Sequence, residues 1–368
     1  MDKQEFLSED EKILKQYYGR YGGFWRFPNM LDYCYLVNPY FNRAKIISEM
    51  QEFFPVLVSE YPSGMGVNSK LASECWNVKQ EYVIPGNGAA ELIKILMEST
   101  TGIMGVIRPT FEEYPNRLPE DRVVTFVPQN EDFRYTAEDL IDFFEGHPVN
   151  TLLLINPDNP SGNFVPIEGV LRLAQWCENK GIRFVLDESF VDFSVNFENN
   201  TLIKNEILER FSHMVVMKSI SKSYGVPGLR LGILCSADTL LIAKMKKQVS
   251  IWNINSFAEF FMQIYPKYRN AYKVACLQFI KTREDFEKEL KNIPFIRVMP
   301  SQANFFFLEV LPPYKPKQLC AILLKKYDIL ASACLAKKGI EPNKYMRIAV
   351  RNHEDNAKFI NALKEVLV

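Results

Sequence analysis

The chain has 368 residues, and its 44 basic and 44 acidic side chains cancel to a formal net charge of zero. This balance argues against a protein that binds nucleic acid by general electrostatic attraction. Apolar residues make up 47% and charged residues 24% of the chain, which suits a soluble protein with one large domain and a smaller one.

Cysteine and histidine usage narrows the class further. The seven cysteines form no CxxC pair, which indicates reduced thiols in a cytoplasmic protein. The charged start lacks the apolar core of a signal peptide, and no apolar run has the length of a membrane span, so we expect no membrane association. The three histidines form no metal-binding pattern, so we expect no metal site.

In chain order, the segment before residue 70 is rich in Tyr, Pro and Gly, and we expect it to be irregular and to wrap around the rest. From about residue 80, short apolar runs alternate with helical stretches. We predict strands at "YVIP", "GIMGVIRP", "RVVTFVP", "TLLLINP", "IRFVLDE", "HMVVMKSI" and "LRLGILCS". Continuous apolar strands separated by helices favour a mostly parallel sheet that is covered on both faces.

The pattern of apolar runs and helices changes toward the C-terminus. Residues 238–292 are rich in helical pattern, and after Pro294 the runs "FIRVMP", "NFFFLEV", "ILASAC" and "YMRIAV" alternate with helices near 316–326 and 354–367. The sequence therefore predicts an α/β protein with an N-terminal arm at 1–45, a large domain at 46–270 and a smaller α+β domain at 271–368.

A glycine pair follows the first predicted strand of the sheet. Gly86, Asn87 and Gly88 stand between "YVIP" and a helix, where backbone N–H groups form an anion site. The dinucleotide fingerprint GxGxxG fails because Glu91 occupies its third glycine position. An ordinary tight turn remains the alternative for this motif.

The stretch "SISKSYGVPGLRLG" at 219–232 contains a lysine between hydroxyl residues and an arginine. Its S-x-x-K spacing also occurs in serine acyl-enzymes, but their companion motifs KTG and SDN are absent. Three roles are therefore open for this lysine. It is an ordinary surface charge, the basic partner of a nucleophilic serine, or an amine that carries a cofactor.

Four motifs in a fixed order favour the cofactor. "GNGAAE", "INPDNPSG", "VLDESFVDF" and "SISKSYGVPGLRLG" together resemble the fold-type I pyridoxal-phosphate enzymes of the class I/II aminotransferase superfamily, over residues 35 to 368. The resemblance implies a large domain with a mostly parallel seven-stranded sheet covered by helices, a smaller C-terminal α+β domain, and pyridoxal 5'-phosphate (PLP) as the cofactor.

The resemblance also implies catalytic roles. Lys222 would form a Schiff base with the cofactor aldehyde, Asp187 would pair with the pyridine nitrogen, and Asn159 would bond the phenolic oxygen. Protonation of that nitrogen makes the ring an electron sink.

Further cofactor contacts follow from the same resemblance. The residues implied around the phosphate and the ring are Gly86, Asn87, Gly88, Phe111, Phe190, Ser219, Ser221 and Arg230. Phe111 would stack on the ring, and Phe190 stands where many aminotransferases have a tyrosine. Tyr61 resembles the tyrosine that reaches a neighbouring subunit's cofactor, which implies a homodimer with shared active sites.

On the substrate side, Arg347 matches the arginine that binds both oxygens of the substrate carboxylate in a bidentate contact. Tyr21, Gly22 and Asn38 are the other implied substrate residues. The chain resembles histidinol-phosphate aminotransferases and threonine-phosphate decarboxylases in particular. It departs from the decarboxylases at Tyr21 and Phe24 of "RYGGFW", and at residues 331–333, where the relatives carry an arginine.

We therefore expect a PLP-dependent aminotransferase for a small amino compound with a phosphate or phosphonate group, such as 2-aminoethylphosphonate or histidinol phosphate. It would use a small-molecule amino donor and an oxo acceptor. Decarboxylation of threonine phosphate is the alternative reaction. A protein of this fold that binds without catalysing is the alternative from another class.

Overall fold

The computed structural model describes residues 9–35, 37–41, 43–334 and 337–367. The first residues of the charged start, used above to argue against a signal peptide, lie outside this range. The helices are α1 (Glu9–Tyr18), α2 (Arg43–Ser59), α3 (Met65–Trp76), α4 (Gly88–Ser99), α5 (Ala137–Gly146), α6 (Ile167–Lys180), α7 (Phe197–Asn200), α8 (Asn205–Arg210), α9 (Ile220–Ser223), α10 (Thr239–Gln248), α11 (Ser256–Ile264), α12 (Arg269–Leu290), α13 (Pro316–Tyr327) and α14 (His353–Val366). The strands are β1 (Leu31–Asp32), β2 (Val83–Asn87), β3 (Met104–Ile107), β4 (Val123–Phe126), β5 (Thr151–Ile155), β6 (Arg183–Asp187), β7 (Met214–Ser219), β8 (Leu231–Cys235), β9 (Ile296–Val298), β10 (Phe305–Val310), β11 (Ile329–Leu330) and β12 (Tyr345–Ala349).

Seven strands form the central sheet in the order β2-β8-β7-β6-β5-β3-β4. Strands β7, β6, β5, β3 and β4 pair in parallel, whereas β8 pairs antiparallel with both β2 and β7. The predicted mostly parallel seven-stranded sheet is confirmed, with β8 as its one reversed strand.

Both faces of this sheet are covered. Along β5, Leu152 and Leu154 enter one apolar core, and Leu153 and Ile155 enter another on the opposite face. The first core contains residues of α3, α5, α6 and α11, and the second contains residues of α4 and α10. A strand buried on both faces shows no polar alternation, which is why its sequence is a continuous apolar run.

A third core lies around the antiparallel sheet β12-β10-β9. It contains residues of α13, α14 and the second half of α12, and two phenylalanines from the loop after β6, Phe190 and Phe193. The predicted smaller α+β unit is confirmed. The boundaries at 45 and 270 stay predictions, and α12 runs through the second of them with side chains in both the first and the third core.

The prediction of an irregular segment before residue 70 is wrong, because α1, α2 and the start of α3 lie there. Helix α1 packs against α13 and places Leu14 in the third core, while β1 pairs with β11. Helix α2 packs on α11 and contains Pro55, a residue that usually ends helices. Tertiary packing rather than local preference stabilises these helices, so composition alone did not indicate them.

Within the described residues, no helix is both long and apolar enough to cross a membrane. In the same part of the chain, His, Cys, Asp and Glu side chains form no group of three that is placed to hold a metal ion.

Candidate active site

The strand directions bring the predicted site residues to one edge of the sheet. Carboxyl ends of parallel strands share an edge, and the reversed β8 begins at that same edge. Phe111 therefore follows β3 there, Asn159 follows β5, Asp187 ends β6, Lys222 follows β7, and Arg230 precedes β8.

A cleft of about 610 Å³ opens at this edge, and Arg347 of β12 forms part of its wall. The predicted residues that line it are Tyr21, Phe111, Asn159, Asp187, Phe190, Ser219, Ser221, Lys222, Arg230 and Arg347. Residues far apart in the chain thus meet in one cavity between the central sheet and the C-terminal sheet.

Lys222 is half-buried in this cleft, in the short helix α9. Its Nζ lies 4.2 Å from the centre of the Phe190 ring and 6.0 Å from that of Phe111. Burial, together with the charges of Arg347 and Arg230, lowers the pKa of Lys222 to about 8 against the opposing attraction of Asp187. A lysine with a lowered pKa has more of the neutral amine, which is the nucleophilic form.

Asp187 is 3% exposed and fixed by two donors. The Tyr114 hydroxyl donates to Oδ2 at 2.8 Å, and the Ser189 N–H donates to Oδ1 at 2.8 Å. These bonds orient the carboxylate within the cleft.

Arg347 is tied to the predicted ring residue Asn159. Its Nη1 donates to Asn159 Oδ1 at 2.8 Å, and its Nη2 donates to the carbonyl of Cys34 at 2.9 Å. The Nε of Arg347 is buried without a hydrogen-bond partner among the described residues. An unpaired buried donor on a charged group is costly, so it marks a place where an acceptor is expected.

Several of the groups that were predicted to hold the cofactor phosphate line the same cleft. Helix α4 begins at Gly88, whose φ is +72°, and a Cβ added there would lie 2.3 Å from Arg230 Nη2. Only glycine therefore lets this guanidinium pack on the helix N-terminus. Ser221 Oγ is buried without a partner among the described residues.

The sequence predicts that the backbone N–H of Asn87 binds the phosphate, but in the structure this group has another partner. It donates to Glu91 Oε2 at 2.7 Å, and Asn253 Nδ2 donates to the same oxygen at 2.9 Å. Ala89 and Ala90 of α4 line the cleft instead of Gly86 and Asn87. The helix N-terminus thus lies where it was predicted, but residues of its first turn, rather than the loop before it, line the cleft.

Two predicted substrate residues lie outside the cleft wall. Asn38 is fully buried, its N–H donates to the carbonyl of Lys222 at 2.8 Å, and its Nδ2 has no partner among the described residues. Gly22 has a φ of +139° beside the cleft residue Tyr21, which is 84% exposed. Asn38 thus supports the lysine segment, and Tyr21 stands at the mouth.

Tyr61 also lies away from this cleft. Its side chain is 79% exposed, and its ring lies 4.5 Å from that of Trp252. An exposed tyrosine on this surface is available to a second copy of the chain, so its predicted role in a neighbouring site stays a prediction.

The residues present fit PLP. Two hydroxyls, a guanidinium and the N-terminus of a twelve-residue helix suit a phosphate group. A buried carboxylate suits a pyridinium nitrogen, and a lysine of lowered pKa suits an aldehyde. The orphaned Ser221 Oγ and the Gly88 cradle are accounted for by such a ligand.

Sequence reasoning missed several residues of the site. Tyr114 is completely buried, and no motif signals its bond to Asp187. The cleft is also lined by Tyr18, Phe24, Tyr35 and Arg351. Arg351 stands four residues after Arg347 on the chain, and this repeated arginine was the one signal available.

Several known proteins are similar to this chain over most of its length. CMP-5'-(3-aminopropyl)phosphonate synthase of Streptomyces rubellomurinus is 32% identical over 359 residues, which cover 98% of this chain and 56% of that protein. L-serine phosphate decarboxylase of Sulfurospirillum multivorans is 30% identical over 348 residues, which cover 92% of this chain and 88% of that protein. The crystal structure of the histidinol-phosphate aminotransferase from Clostridium acetobutylicum matches with a TM-score of 0.80 at 26% identity, over 92% of this chain and 99% of that one.

The chain spans about half the length of the Streptomyces relative and of a second relative from Sinorhizobium fredii. The family model for aminotransferase class I and II matches residues 68–363, most of the chain. This protein therefore belongs to the class I and II aminotransferase family, whose cofactor is PLP.

Proposed function

We propose that this protein is a PLP-dependent decarboxylase of a small amino acid that bears a phosphate or phosphonate group. The observation that carries the proposal is the number of cations available to a substrate. From the sequence alone we expected transamination and kept decarboxylation as the alternative, so the proposal reverses that preference.

Among the described residues, three arginines line the cleft, and one of them is left to bind a substrate. Arg230 packs on the N-terminus of α4, at the cofactor phosphate end. Arg351 is paired with Asp355, with Nε to Oδ2 at 2.8 Å, and its Nη1 donates to the carbonyl of Asp32. Arg347 has no carboxylate partner among the described residues, so it is left to bind a substrate anion.

A substrate with a carboxylate and a phosphate brings two anions to one free arginine. If Arg347 holds the phosphate, the carboxylate lies without a cationic clamp among the rings of Phe111 and Phe190. An unpaired carboxylate in apolar surroundings is destabilised, and loss of carbon dioxide relieves this by leaving the electron pair of the broken bond at Cα, where a proton then takes it up.

The chain's residues then have defined tasks. Bound PLP supplies an electron-withdrawing ring conjugated to the substrate Cα. Asp187, held by Tyr114 and Ser189, keeps a negative charge at the ring nitrogen. Arg347 orients the substrate so that the Cα–carboxylate bond breaks, and Lys222 Nζ delivers the proton that replaces it at Cα.

The relatives support this substrate class. One is a CMP-5'-(3-aminopropyl)phosphonate synthase, and another is an L-serine phosphate decarboxylase that matches 92% of this chain.

Transamination is the second candidate. Arg347 is anchored to Asn159, a geometry that equally suits a grip on a substrate carboxylate in the plane of the ring. That grip would turn the Cα–H bond toward Lys222, which would then move a proton rather than replace a carboxylate. The aminotransferase structure from Clostridium favours this reading.

We also propose that the protein acts as a homodimer. Helix α2 exposes Phe53, Phe54 and Val58, and the nearby Tyr61 is more exposed still. Exposed apolar rows of this kind mark protein contacts, and a second copy of the chain is the expected partner in this family.

The test supplies PLP-loaded protein with L-serine phosphate and, separately, L-threonine phosphate. We expect one carbon dioxide and one aminoalkyl phosphate per substrate consumed, without an oxo acid. An oxo acid formed in place of carbon dioxide, one per bound PLP because the amino group passes to the cofactor and no oxo acceptor is supplied, would favour transamination. No reaction with either substrate would contradict the proposed decarboxylase.

A variant of Arg347 checks the arginine argument in the same assay. Arg347→Lys keeps the charge but loses the planar fork, so we expect the KM for serine phosphate to rise by about tenfold or more. Arg297→Lys alters a surface arginine paired with Asp132 and Glu309, and serves as the control. An unchanged KM in Arg347→Lys would remove Arg347 from the substrate site.

A further inference from the structure

A buried carboxylate beneath Lys222 takes no part in the chemistry described so far. Asp192 is 5% exposed and lies in the turn that follows Asp187 and β6. Lys218 Nζ donates to its Oδ1 at 2.8 Å, and Ser223 Oγ donates to its Oδ2 at 2.9 Å. Since Lys218 precedes and Ser223 follows Lys222 in the chain, one carboxylate holds both ends of the segment that carries the amine.

The same turn contacts Lys222 from the cleft side. The Phe190 ring lies 4.2 Å from Lys222 Nζ and packs edge-on against Phe305, with ring centres 5.1 Å apart. The Phe305 ring also lies 5.5 Å from Cζ of Arg347. Phe190 thus contacts the amine of Lys222 on one side. On its other side it contacts the Phe305 ring, which packs against Arg347.

The turn is fixed to the C-terminal core at its far end. The Phe193 ring lies 4.6 Å from Phe279 of α12, and Arg283 Nη1 donates to the carbonyls of Phe193 and Ala303. Ala303 leads into β10, which pairs with β12 and carries Phe307 opposite Arg347. The strand of the substrate arginine and the segment of the lysine therefore share one rigid support.

A buried ion pair is weak evidence for stability, because desolvation of both charges offsets their attraction. Here, however, each oxygen of Asp192 is used by a different residue, and both residues flank the amine. This division favours a role in geometry.

We propose that Asp192 is a positioning residue for Lys222. By tying residues 218 and 223 to the turn 190–193, it holds the amine against Phe190 and at a fixed place relative to Arg347. That placement decides which bond of the substrate Cα faces the lysine. The inference rests on the proposed function only in taking Lys222 as the reacting amine.

The test measures Lys222 in the protein without cofactor or substrate. The rate of acetylation of Lys222 by acetic anhydride is followed by mass spectrometry over a pH series, which gives the midpoint at which the amine becomes neutral. The wild-type midpoint is expected at about 8, because burial lowers the pKa of this amine from 10.5. A loosened segment admits water to the amine, so the midpoint should rise.

Two serines supply a matched pair of variants. Ser223 and Ser194 are both fully buried, and each donates one hydrogen bond, Ser223 to Asp192 and Ser194 to the carbonyl of Val191 in the same turn. We expect Ser223→Ala to raise the midpoint and to slow PLP capture about fivefold, the size of one buried hydrogen bond. Ser194→Ala also removes the acceptor of Asn200 Nδ2, so it should lose at least as much thermal stability while the midpoint stays that of the wild type.

Asp192→Asn is expected to raise the midpoint further than Ser223→Ala does. If that variant does not fold, the serine pair decides the question. Equal midpoints for Ser223→Ala and Ser194→Ala would overturn the proposal and leave Asp192 a purely structural residue. Because the midpoints are measured without substrate or cofactor, they stand apart from whether the enzyme decarboxylates or transaminates.

Discussion

At the scale of single residues, the charge on Lys222 is set by its surroundings. Burial disfavours its ammonium form, Arg347 and Arg230 repel it, and Asp187 alone among these groups attracts it. The amine therefore loses its proton near pH 8 in the folded protein, but near 10.5 when the chain unfolds.

This difference predicts a pH dependence of stability in the protein without cofactor. Between about pH 8 and 10.5 the unfolded lysine binds more protons than the folded one, so the free energy of unfolding should gain a favourable contribution as pH rises. Lys222→Met removes the contribution. Urea denaturation at several pH values should show the gain in the wild type and a smaller one in the variant, and parallel profiles would contradict the lowered pKa.

Residues named by a motif were located well from sequence, and residues that act through packing were not. Lys222, Asp187 and Asn159 were singled out because their order along the chain is distinctive, and all three line the cleft. Tyr114 bonds Asp187 from a different loop, and nothing in "RPTFEEY" distinguishes it from an ordinary core tyrosine. Its role depends on a contact across 73 residues of chain.

At the scale of elements, the N-terminus of α4 depends on one backbone conformation. Gly88 has a φ of +72°, a value that L-residues adopt only with strain, and Arg230 fills the space where a side chain would stand. The glycine thus shapes both the helix start and the position of the guanidinium.

We therefore predict that Gly88→Ala weakens PLP binding by about tenfold or more, because the backbone strain and the displaced Arg230 act together. Gly146→Ala is the control, since an added Cβ at Gly146 meets no atom within 4 Å. Titration of each variant with PLP, followed by protein fluorescence, measures the affinities. Equal affinity in both variants would contradict the assignment of the phosphate end.

Strands were easier to predict than the N-terminal helices, for a physical reason. Strands such as β5 and β7 of the central sheet are buried along their whole length, so their apolar runs stand out in the sequence. Helix α2 has exposed Phe53 and Phe54 and contains Pro55, so its pattern matched neither a buried nor an amphipathic helix. Such a helix is consistent with the proposed contact to a second copy of the chain.

At the scale of the whole molecule, a shared active site predicts that two defective chains can restore one another. Lys222→Ala lacks the amine, and Tyr61→Ala lacks the side chain proposed to reach the partner's cofactor. In a mixed dimer, the Lys222 of one chain and the Tyr61 of the other form one intact site. Random mixing should therefore give about a quarter of the wild-type activity.

Activity of the refolded mixture, compared with the separately refolded variants, measures this effect. Mixed dimers that form but show no activity above that of the two variants alone would place Tyr61 outside the neighbouring site. A chain that sediments as a monomer under assay conditions would contradict the homodimer itself.

The central claim is that the bond to the carboxylate, and not the Cα–H bond, breaks in this site. L-Serine phosphate with deuterium at Cα separates the two reactions. Decarboxylation leaves the deuterium on Cα and adds one solvent proton there, so mass spectrometry should find aminoethyl phosphate with its deuterium retained. Loss of the deuterium to solvent, with formation of the oxo acid that still bears the phosphate and transfer of the amino group to the cofactor, would contradict the decarboxylase and establish transamination in its place.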